Sequence, residues 1–191
     1  MQKINFALVG CGSIGSRHLA VIAANKRANL LAICDTDKAK CQKYSKLYGN
    51  VPFYTSYDKM LEEVNADIVN ICTPHNLHAE MSIKAAKAKR NILVEKPMAL
   101  TSVECINMTA AAQKNKVKLF VVKQNRFNIP VALTREALEK KQLGKIFMVR
   151  CDVLWNRHDA YYKESQWRGR IQSEGGALFT QASHFIDLLV W

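Results

Sequence analysis

Ile4-Asn5-Phe6-Ala7-Leu8-Val9 runs directly into Gly10-Cys11-Gly12-Ser13-Ile14-Gly15. The first six residues have the length and apolar character of a buried strand. The glycines that follow stand at the spacing G-x-G-x-x-G, at a point where a strand gives way to a helix. Gly10 permits a tight turn, Gly12 lets the backbone approach a pyrophosphate, and Gly15 lets the helix pack on the strand. That helix runs to about Asn25. Its N-terminus, with Ser13 and Ile14 in the first turn, offers free N–H groups and a positive dipole end to phosphate oxygens. A glycine turn with no ligand is the alternative reading.

The pattern continues outward from this turn. Residues 30–34 form a second strand, and Thr36 or Asp37 then caps a helix that stops at Gly49-Asn50. Phe53-Tyr54 is a brief strand, and Ser56 caps a short helix. Residues 68–72 form a buried strand that closes on Thr73-Pro74, and a helix spans about 76–88. Residues 91–95 are the next strand. Thr101-Ser102-Val103-Glu104 fits a capping box, so a helix starts there and runs to about Lys114. Residues 117–124 form a sixth strand. Strands alternating with amphipathic helices imply a parallel sheet with right-handed crossovers. Strands apolar on both faces imply a sheet covered on both sides. The expected class is α/β, with a Rossmann dinucleotide-binding domain over residues 1–124.

Asp35 lies twenty residues beyond Gly15, at the end of the second strand. There its carboxylate can accept hydrogen bonds from both ribose hydroxyls and would repel a 2′-phosphate, which favours NAD over NADP. Thr73-Pro74 ends the fourth strand at the same edge. His75 and His78 open the following helix and either approach the cofactor or serve the structure. Glu95-Lys96-Pro97 ends the fifth strand and turns Lys96 toward the cleft. A lysine shielded from water near a cationic nicotinamide has a lowered pKa and can take up the proton of a substrate hydroxyl. The bond before Pro97 is a candidate for the cis form. The bland alternative for Lys96 is a surface salt bridge.

After Gln124 the pattern changes. Residues 130–141 read as a helix ending before Gly144. Residues 146–155 read as one long strand of period two, with Phe147, Val149, Cys151, Val153 and Trp155 on one face and Arg150 and Asp152 on the other. A loop rich in Tyr, Trp and Arg follows, then Gly175-Gly176 and a last helix over residues 178–191. Residues 125–191 are thus expected to begin a second, α+β domain. A one-stranded sheet cannot stand alone. The expectation is a piece of a longer protein, with completion by another copy as the alternative. His184, one turn before Asp187, is a candidate acid/base because histidine titrates near neutrality; the alternative is a satisfied core histidine. Trp167-Arg168 and Asn125-Arg126 offer a flat wall and guanidinium forks suited to carboxylate or phosphate, or are surface pairs.

Composition narrows the classes. The 191 residues are 49% hydrophobic, ordinary for a globular protein, with a formal net charge of +12. The basic residues are spread along the chain without the aromatic interleaving of single-strand binders, so nucleic acid is not expected and an anionic small molecule is. The six cysteines form no CxxC pair, which speaks against a metal site and for reduced thiols in a cytoplasmic protein. No run is long enough to cross a membrane, and the N-terminus lacks a secretory pattern.

The glycine loop, Thr73-Pro74 with His78, Glu95-Lys96-Pro97, Trp167-Arg168, and Gly175-Gly176-Ala177 with His184 and Asp187 together resemble the glucose–fructose oxidoreductase/inositol dehydrogenase/rhizopine-catabolism (Gfo/Idh/MocA) family. Residues 119–126, Tyr161-Tyr162 before Trp167-Arg168-Gly169, and Gln181-Ala182-Ser183-His184 are similar to the UDP-N-acetylglucosaminuronate 3-dehydrogenases of bacterial surface-polysaccharide synthesis. The resemblance implies an NAD-binding Rossmann domain and a substrate domain with a large open, mainly antiparallel sheet, incomplete here. It implies hydride transfer from C3 of a UDP-N-acetylhexosaminuronate to NAD, with Lys96 and His184 holding the hydroxyl and handling its proton. By the same likeness Gln124, Trp167 and Arg168 join the cofactor site, and Asn125, Arg126, Thr180 and Gln181 join the substrate site. Full-length relatives are homo-oligomeric. The family commonly has Asp, and these dehydrogenases Asn, where this chain has Thr180, which cannot replace a carboxylate base. An inactive NAD-binding piece of such an enzyme and a basic binding protein on a borrowed Rossmann fold are the competing readings.

Overall fold

Strand β1 (Ile4–Val9) lies at the centre of a six-stranded sheet ordered β3-β2-β1-β4-β5-β6. Its neighbours are β2 (Ala28–Cys34) and β4 (Ile68–Ile71); β3 (Phe53–Tyr54), β5 (Asn91–Val94) and β6 (Leu119–Val121) complete it, and every pairing is parallel. The computed structural model describes residues 2–191 and divides after Val121 into two compact units.

In the first unit the helices α1 (Ser13–Ala24), α2 (Lys38–Leu47), α3 (Tyr57–Glu63), α4 (His78–Lys87) and α5 (Ser102–Asn115) connect the strands. The α/β class and the doubly wound order follow. The period of two explains how both faces are covered. Ala7 and Val9 of β1 enter one apolar cluster with Val69, Ile71, Ile92 and Val94. Leu8 points the other way and packs with Leu19 and Ile22 of α1 and with Ile33. Asn70 breaks this order: it is a polar residue, 0% exposed, in the middle of β4.

The capping residues act where their chemistry places them. Asp37 accepts from the N–H groups of Ala39 and Lys40 at the head of α2, Ser56 accepts from Lys59 at α3, and Thr101 with Glu104 forms the full capping box of α5. Helix α1 differs. Its cap is Gly12, no side chain caps its first amides, and no acidic residue lies in the first turn.

The order 3-2-1-4-5-6 reverses direction between β1 and β4, and ligands of open α/β sheets bind outside the strand ends at that switch point. The turns after these two strands are in contact: a Cβ on Gly10 would lie 2.5 Å from the carbonyl oxygen of Cys72.

The second unit contains α6 (Ile129–Glu139), α7 (Asp159–Lys163), α8 (Ile171–Glu174) and α9 (Ser183–Val190), with a 3-10 turn at Gln124–Phe127 and a π-helical turn at Leu178–Ala182. The strand expected over residues 146–155 is absent, and this segment is irregular. Phe147 is 85% and Leu154 92% exposed. The cause is the ladder: a strand needs a neighbour for its N–H and C=O groups, and none pairs with this one among the described residues. Trp155 alone of the expected inward face finds a clear aromatic partner, Phe185, edge to face at 5.4 Å. The continuous helix expected to the end of the chain is instead a π-helical turn followed by α9. Among the described residues no helix is long and apolar enough to cross a membrane.

Candidate active site

The glycine turn is built by steric necessity. Gly10 adopts φ +94°, which side chains rarely tolerate, and a Cβ on Gly15 would lie 1.8 Å from the carbonyl oxygen of Gly10. Around Gly12 there is nothing within 4 Å of the same test position. Ser13 and Ile14 follow in the first turn of α1, where the amides have no side-chain cap. Close approach at Gly12, a helix N-terminus without a side-chain cap and no acidic residue in its first turn together suit a pyrophosphate.

Asp35 stands beside this turn. One carboxylate oxygen accepts the N–H of Cys11 at 2.7 Å and the other accepts the N–H of Asp37 at 2.9 Å. Each oxygen keeps a second acceptor site, so the carboxylate is aimed by the loop and can still receive ribose hydroxyls. Cys11, Cys34 and Cys41 lie around it, all buried. Burial raises all three thiols, Cys34 to about 12, so they remain protonated packing groups.

Thr73 and Pro74 follow β4. The Thr73 hydroxyl meets the sulfur of Met81 at 3.5 Å, and His75 is buried with its ring 5.6 Å from that of His78. His78 is fully buried. Its Nδ1 lies 2.8 Å from the Pro97 carbonyl oxygen and its Nε2 lies 3.0 Å from that of Thr73. Both ring nitrogens face main-chain carbonyls, and the single N–H of the neutral ring is donated to one of them, so the ring is wedged between the turn after β4 and the turn after β5.

Glu95 is 6% exposed. One of its carboxylate oxygens lies 2.8 Å from Nε2 of His18 on α1, and the other accepts the N–H of Lys96 at 3.0 Å. The Lys96–Pro97 bond is cis. Lys96 therefore has a main-chain anchor on each side, Glu95 before it and His78, through Pro97, after it.

These groups set an acid limit on stability. Burial lowers the His78 imidazole below its ordinary 6.5, against the pull of the two carbonyls. Burial pushes the Glu95 carboxyl up, but the hydrogen bonds from His18 and from the Lys96 N–H outweigh it and leave it below 4.5. A histidine with a lowered value stabilises fully above 6.5 and less as the pH falls below it; a carboxylate with a lowered value does the same below 4.5. The thermal midpoint should thus be level from 6.5 to about 9.0, where the buried thiols begin to matter, and fall in two stages on acidification, with His78→Gln removing the upper one. A midpoint unchanged between about pH 7 and 5 would contradict this.

The second unit organises its candidates differently. His184 is buried on α9, with Nε2 3.4 Å from the side-chain nitrogen of Gln124. Arg126 spends its fork on Asp187, with two bonds of 2.7 Å, and Lys123 stands 3.5 Å from the same carboxylate. The Arg126 guanidinium also lies over the Trp191 ring at 5.1 Å. Thr180 is buried and donates its hydroxyl to the Gly176 carbonyl at 3.1 Å. Gln181 accepts from Arg157 and donates to the Tyr161 hydroxyl, both at 3.1 Å. Arg168 stacks on Tyr161 at 4.3 Å and donates to its carbonyl at 3.0 Å. The Trp167 carbonyl accepts the Ser173 hydroxyl at 2.7 Å. Asn125 receives the Asn128 N–H on its carbonyl.

The Arg126–Asp187 fork has a measurable weight. The Arg126 hydrogen bonds, reinforced by Lys123, hold the Asp187 carboxyl below its ordinary 3.8. The carboxylate side chain is 12% exposed and the guanidinium 33%, so solvent screens part of the pair. Asp187→Asn should cost about 1–2 kcal/mol at neutral pH. The difference should shrink as the pH falls below 3.8 and vanish only below the lowered native value, where the folded carboxyl is protonated too. Denaturant midpoints at the two pH values check both statements.

Residues 4–123 match the family described as oxidoreductase, NAD-binding Rossmann fold, and residues 131–191 match the C-terminal domain of the same Gfo/Idh/MocA group. The chain belongs to the Gfo/Idh/MocA oxidoreductase family. Among solved structures it is similar to the WlbA dehydrogenase of Bordetella pertussis in complex with NADH and UDP-GlcNAcA, at 40% identity and TM-score 0.96, covering 100% of this chain and 55% of that one. The Chromobacterium violaceum WlbA dehydrogenase, solved with the same two ligands, shows 41% identity and TM-score 0.96, again over 100% and 55%. Among curated relatives, D-glucoside 3-dehydrogenase of Escherichia coli is 26% identical over 100% of this chain and 54% of its own length. The chain spans about half the length of the curated relatives it matches.

Within the Gfo/Idh/MocA frame, two residues of the first unit escape a reading of the sequence alone. His18 looks like a polar residue on an amphipathic helix, and Asn70 like an interruption in an apolar strand. Their partners lie 52 and 77 residues away along the chain. The available signal is a polar side chain at a position where strand periodicity demands an apolar one.

Proposed function

We propose that this chain holds the cofactor site and part of the substrate site of an NAD-dependent dehydrogenase that oxidises C3 of a UDP-N-acetylhexosaminuronate in surface-polysaccharide synthesis. The observation that carries this reading is the 40–41% identity, at TM-score 0.96 over the whole chain, to two dehydrogenases solved with NADH and UDP-GlcNAcA. NAD, when bound, supplies the acceptor for the hydride that leaves the sugar carbon. The uncapped amides of α1 and the space at Gly12 hold its pyrophosphate, and Asp35 receives a ribose. Thr73, Pro74, His75 and His78 line or brace the strand ends beside it. By the family likeness Gln124, Trp167 and Arg168 are proposed as further cofactor-binding residues.

Lys96 takes up the hydroxyl proton as the C–H bond breaks, leaving a ketone. His184 is proposed as the second polar group toward that hydroxyl. Thr180 adds no base: its hydroxyl is committed to the Gly176 carbonyl. Asn125 and Gln181 are proposed as substrate contacts. Arg126 joins them on the condition that its fork to Asp187 opens or shares. The net charge of +12 suits a substrate bearing a diphosphate and a carboxylate.

The test is NADH formation by this chain from NAD and UDP-N-acetylglucosaminuronate, with UDP-N-acetylglucosamine as the control lacking the carboxylate. Failure to bind NAD would remove the whole reading. NAD binding without turnover would select a second reading, a cofactor-binding chain that does not turn over. The unpaired, exposed segment 146–155 favours that second reading.

A further inference from the structure

We propose that His18 is a positioning residue for Lys96, acting through Glu95 from the helix that follows the glycine turn. The inference rests on the reading of Lys96 as the group that handles the substrate proton. It begins with a fully buried polar residue on the α1-facing side of the sheet, Asn70. In β4, Val69 and Ile71 point into the cluster on the opposite face, so Asn70 points toward α1. A buried amide there must be satisfied. Its side-chain nitrogen lies 2.8 Å from Nδ1 of His18, and its oxygen lies 3.5 Å from the sulfur of Cys72.

The direction of each bond follows. Burial pushes the Cys72 thiol well above its ordinary value, so it keeps its proton and donates to the Asn70 oxygen. That leaves the Asn70 amide N–H to donate, and Nδ1 of His18 to accept. The ring proton of the neutral imidazole is then on Nε2, where it is donated to Glu95 at 2.8 Å. The second Glu95 oxygen accepts the Lys96 N–H at 3.0 Å. Every contact along the line Cys72–Asn70–His18–Glu95–Lys96 therefore pairs one donor with one acceptor, without conflict. A carboxylate pinned at both oxygens cannot swing, and the peptide that leads into Lys96 is pinned with it. His78 fixes the far side through the Pro97 carbonyl. His18 also lies one turn beyond Gly15 on α1, so the helix that presents amides to phosphate is the helix that steadies the lysine.

The experiment reads the ring and the lysine separately, in the whole chain. A nitrogen–proton correlation spectrum of His18 should show Nε2 protonated and Nδ1 bare. In Asn70→Asp the donor opposite Nδ1 becomes a carboxylate, and both nitrogens should carry protons. The acylation rate of the Lys96 amine, measured by mass spectrometry against the other lysines as internal references, should change in His18→Ala. It should return toward the wild-type value in His18→Gln, whose amide offers one donor and one acceptor. NADH affinity should change far less, because the glycine turn is untouched; this separates positioning from general loss of fold. An Nδ1-protonated ring in the native chain overturns the proposal, and so does a Lys96 rate indifferent to His18→Ala. If Lys96 reactivity follows His18 in a chain that makes no NADH, the catalytic reading falls and the positioning stands. If NADH forms and Lys96 is indifferent to His18, the reverse holds.

Discussion

Gly15→Ala is expected to collapse the cofactor turn, whereas Gly12→Ala should leave the fold intact and lose the dinucleotide. The two methyl groups meet opposite surroundings. At position 15 the new carbon would sit 1.8 Å from a main-chain oxygen of Gly10, so β1, the turn and α1 must separate. Overpacking against backbone that cannot rotate away costs about 3 kcal/mol. The buried contacts of Leu19 and Ile22 with Leu8 and Ile33 would loosen with it. At position 12 the methyl meets nothing within 4 Å, and the change from glycine to a poorer N-cap costs at most about 1 kcal/mol. A pyrophosphate held off by one methyl would forfeit about 2–3 kcal/mol, or roughly 10²-fold in affinity. Thermal unfolding and NADH titration of both variants separate the effects. Wild-type NADH affinity in Gly12→Ala would place the pyrophosphate elsewhere.

Lys96→Ala should leave the thermal midpoint and NADH affinity nearly unchanged and lower turnover of the nucleotide sugar by about 10²–10⁴-fold, the range of a lost general base. The main-chain surroundings of residue 96 explain why the fold should survive: the Glu95 carboxylate accepts the peptide N–H, and the His78 ring packs against the next carbonyl at 2.8 Å. Neither contact uses the lysine side chain. Lys96→Arg should be nearly as poor, because a guanidinium keeps the charge but does not give up or take a proton near neutrality. The decisive measurement is the rate under saturating NAD, with the affinity for NADH measured beside it. Turnover within a few fold of wild type in either variant would move the proton to another residue.

Legibility in the sequence follows the range of the forces. The glycine turn, the caps Asp37, Ser56 and Thr101, and the alternation of strands with helices are local patterns, each set by residues within a few positions. They were enough for the α/β class and the parallel sheet. The anchoring of Lys96 is not local. It depends on His18 and Asn70, brought together only once β4 lies beside β1 and α1 covers that face. The commitment of Arg126 to Asp187 spans 61 residues for the same reason. Residues 146–155 show the converse. Their period of two is a true strand pattern, but a pattern states which face a residue wants and does not supply a neighbouring strand. Thr180 was legible as a departure; its bond back to Gly176 was not.

The bare N-terminus of α1 also ties the protein's lifetime to its supply of dinucleotide. Unlike α2, α3 and α5, this helix carries no side-chain cap of its own. A ligand that completes it binds only the folded chain. By mass action, NAD at a hundred times its dissociation constant adds about 2.7 kcal/mol to the folded state. Where proteolysis draws on the transiently opened chain, that increment is roughly a hundredfold change in survival. Folding and cofactor abundance become one equilibrium, so the protease-resistant fraction of this protein would serve as a gauge of the free dinucleotide around it.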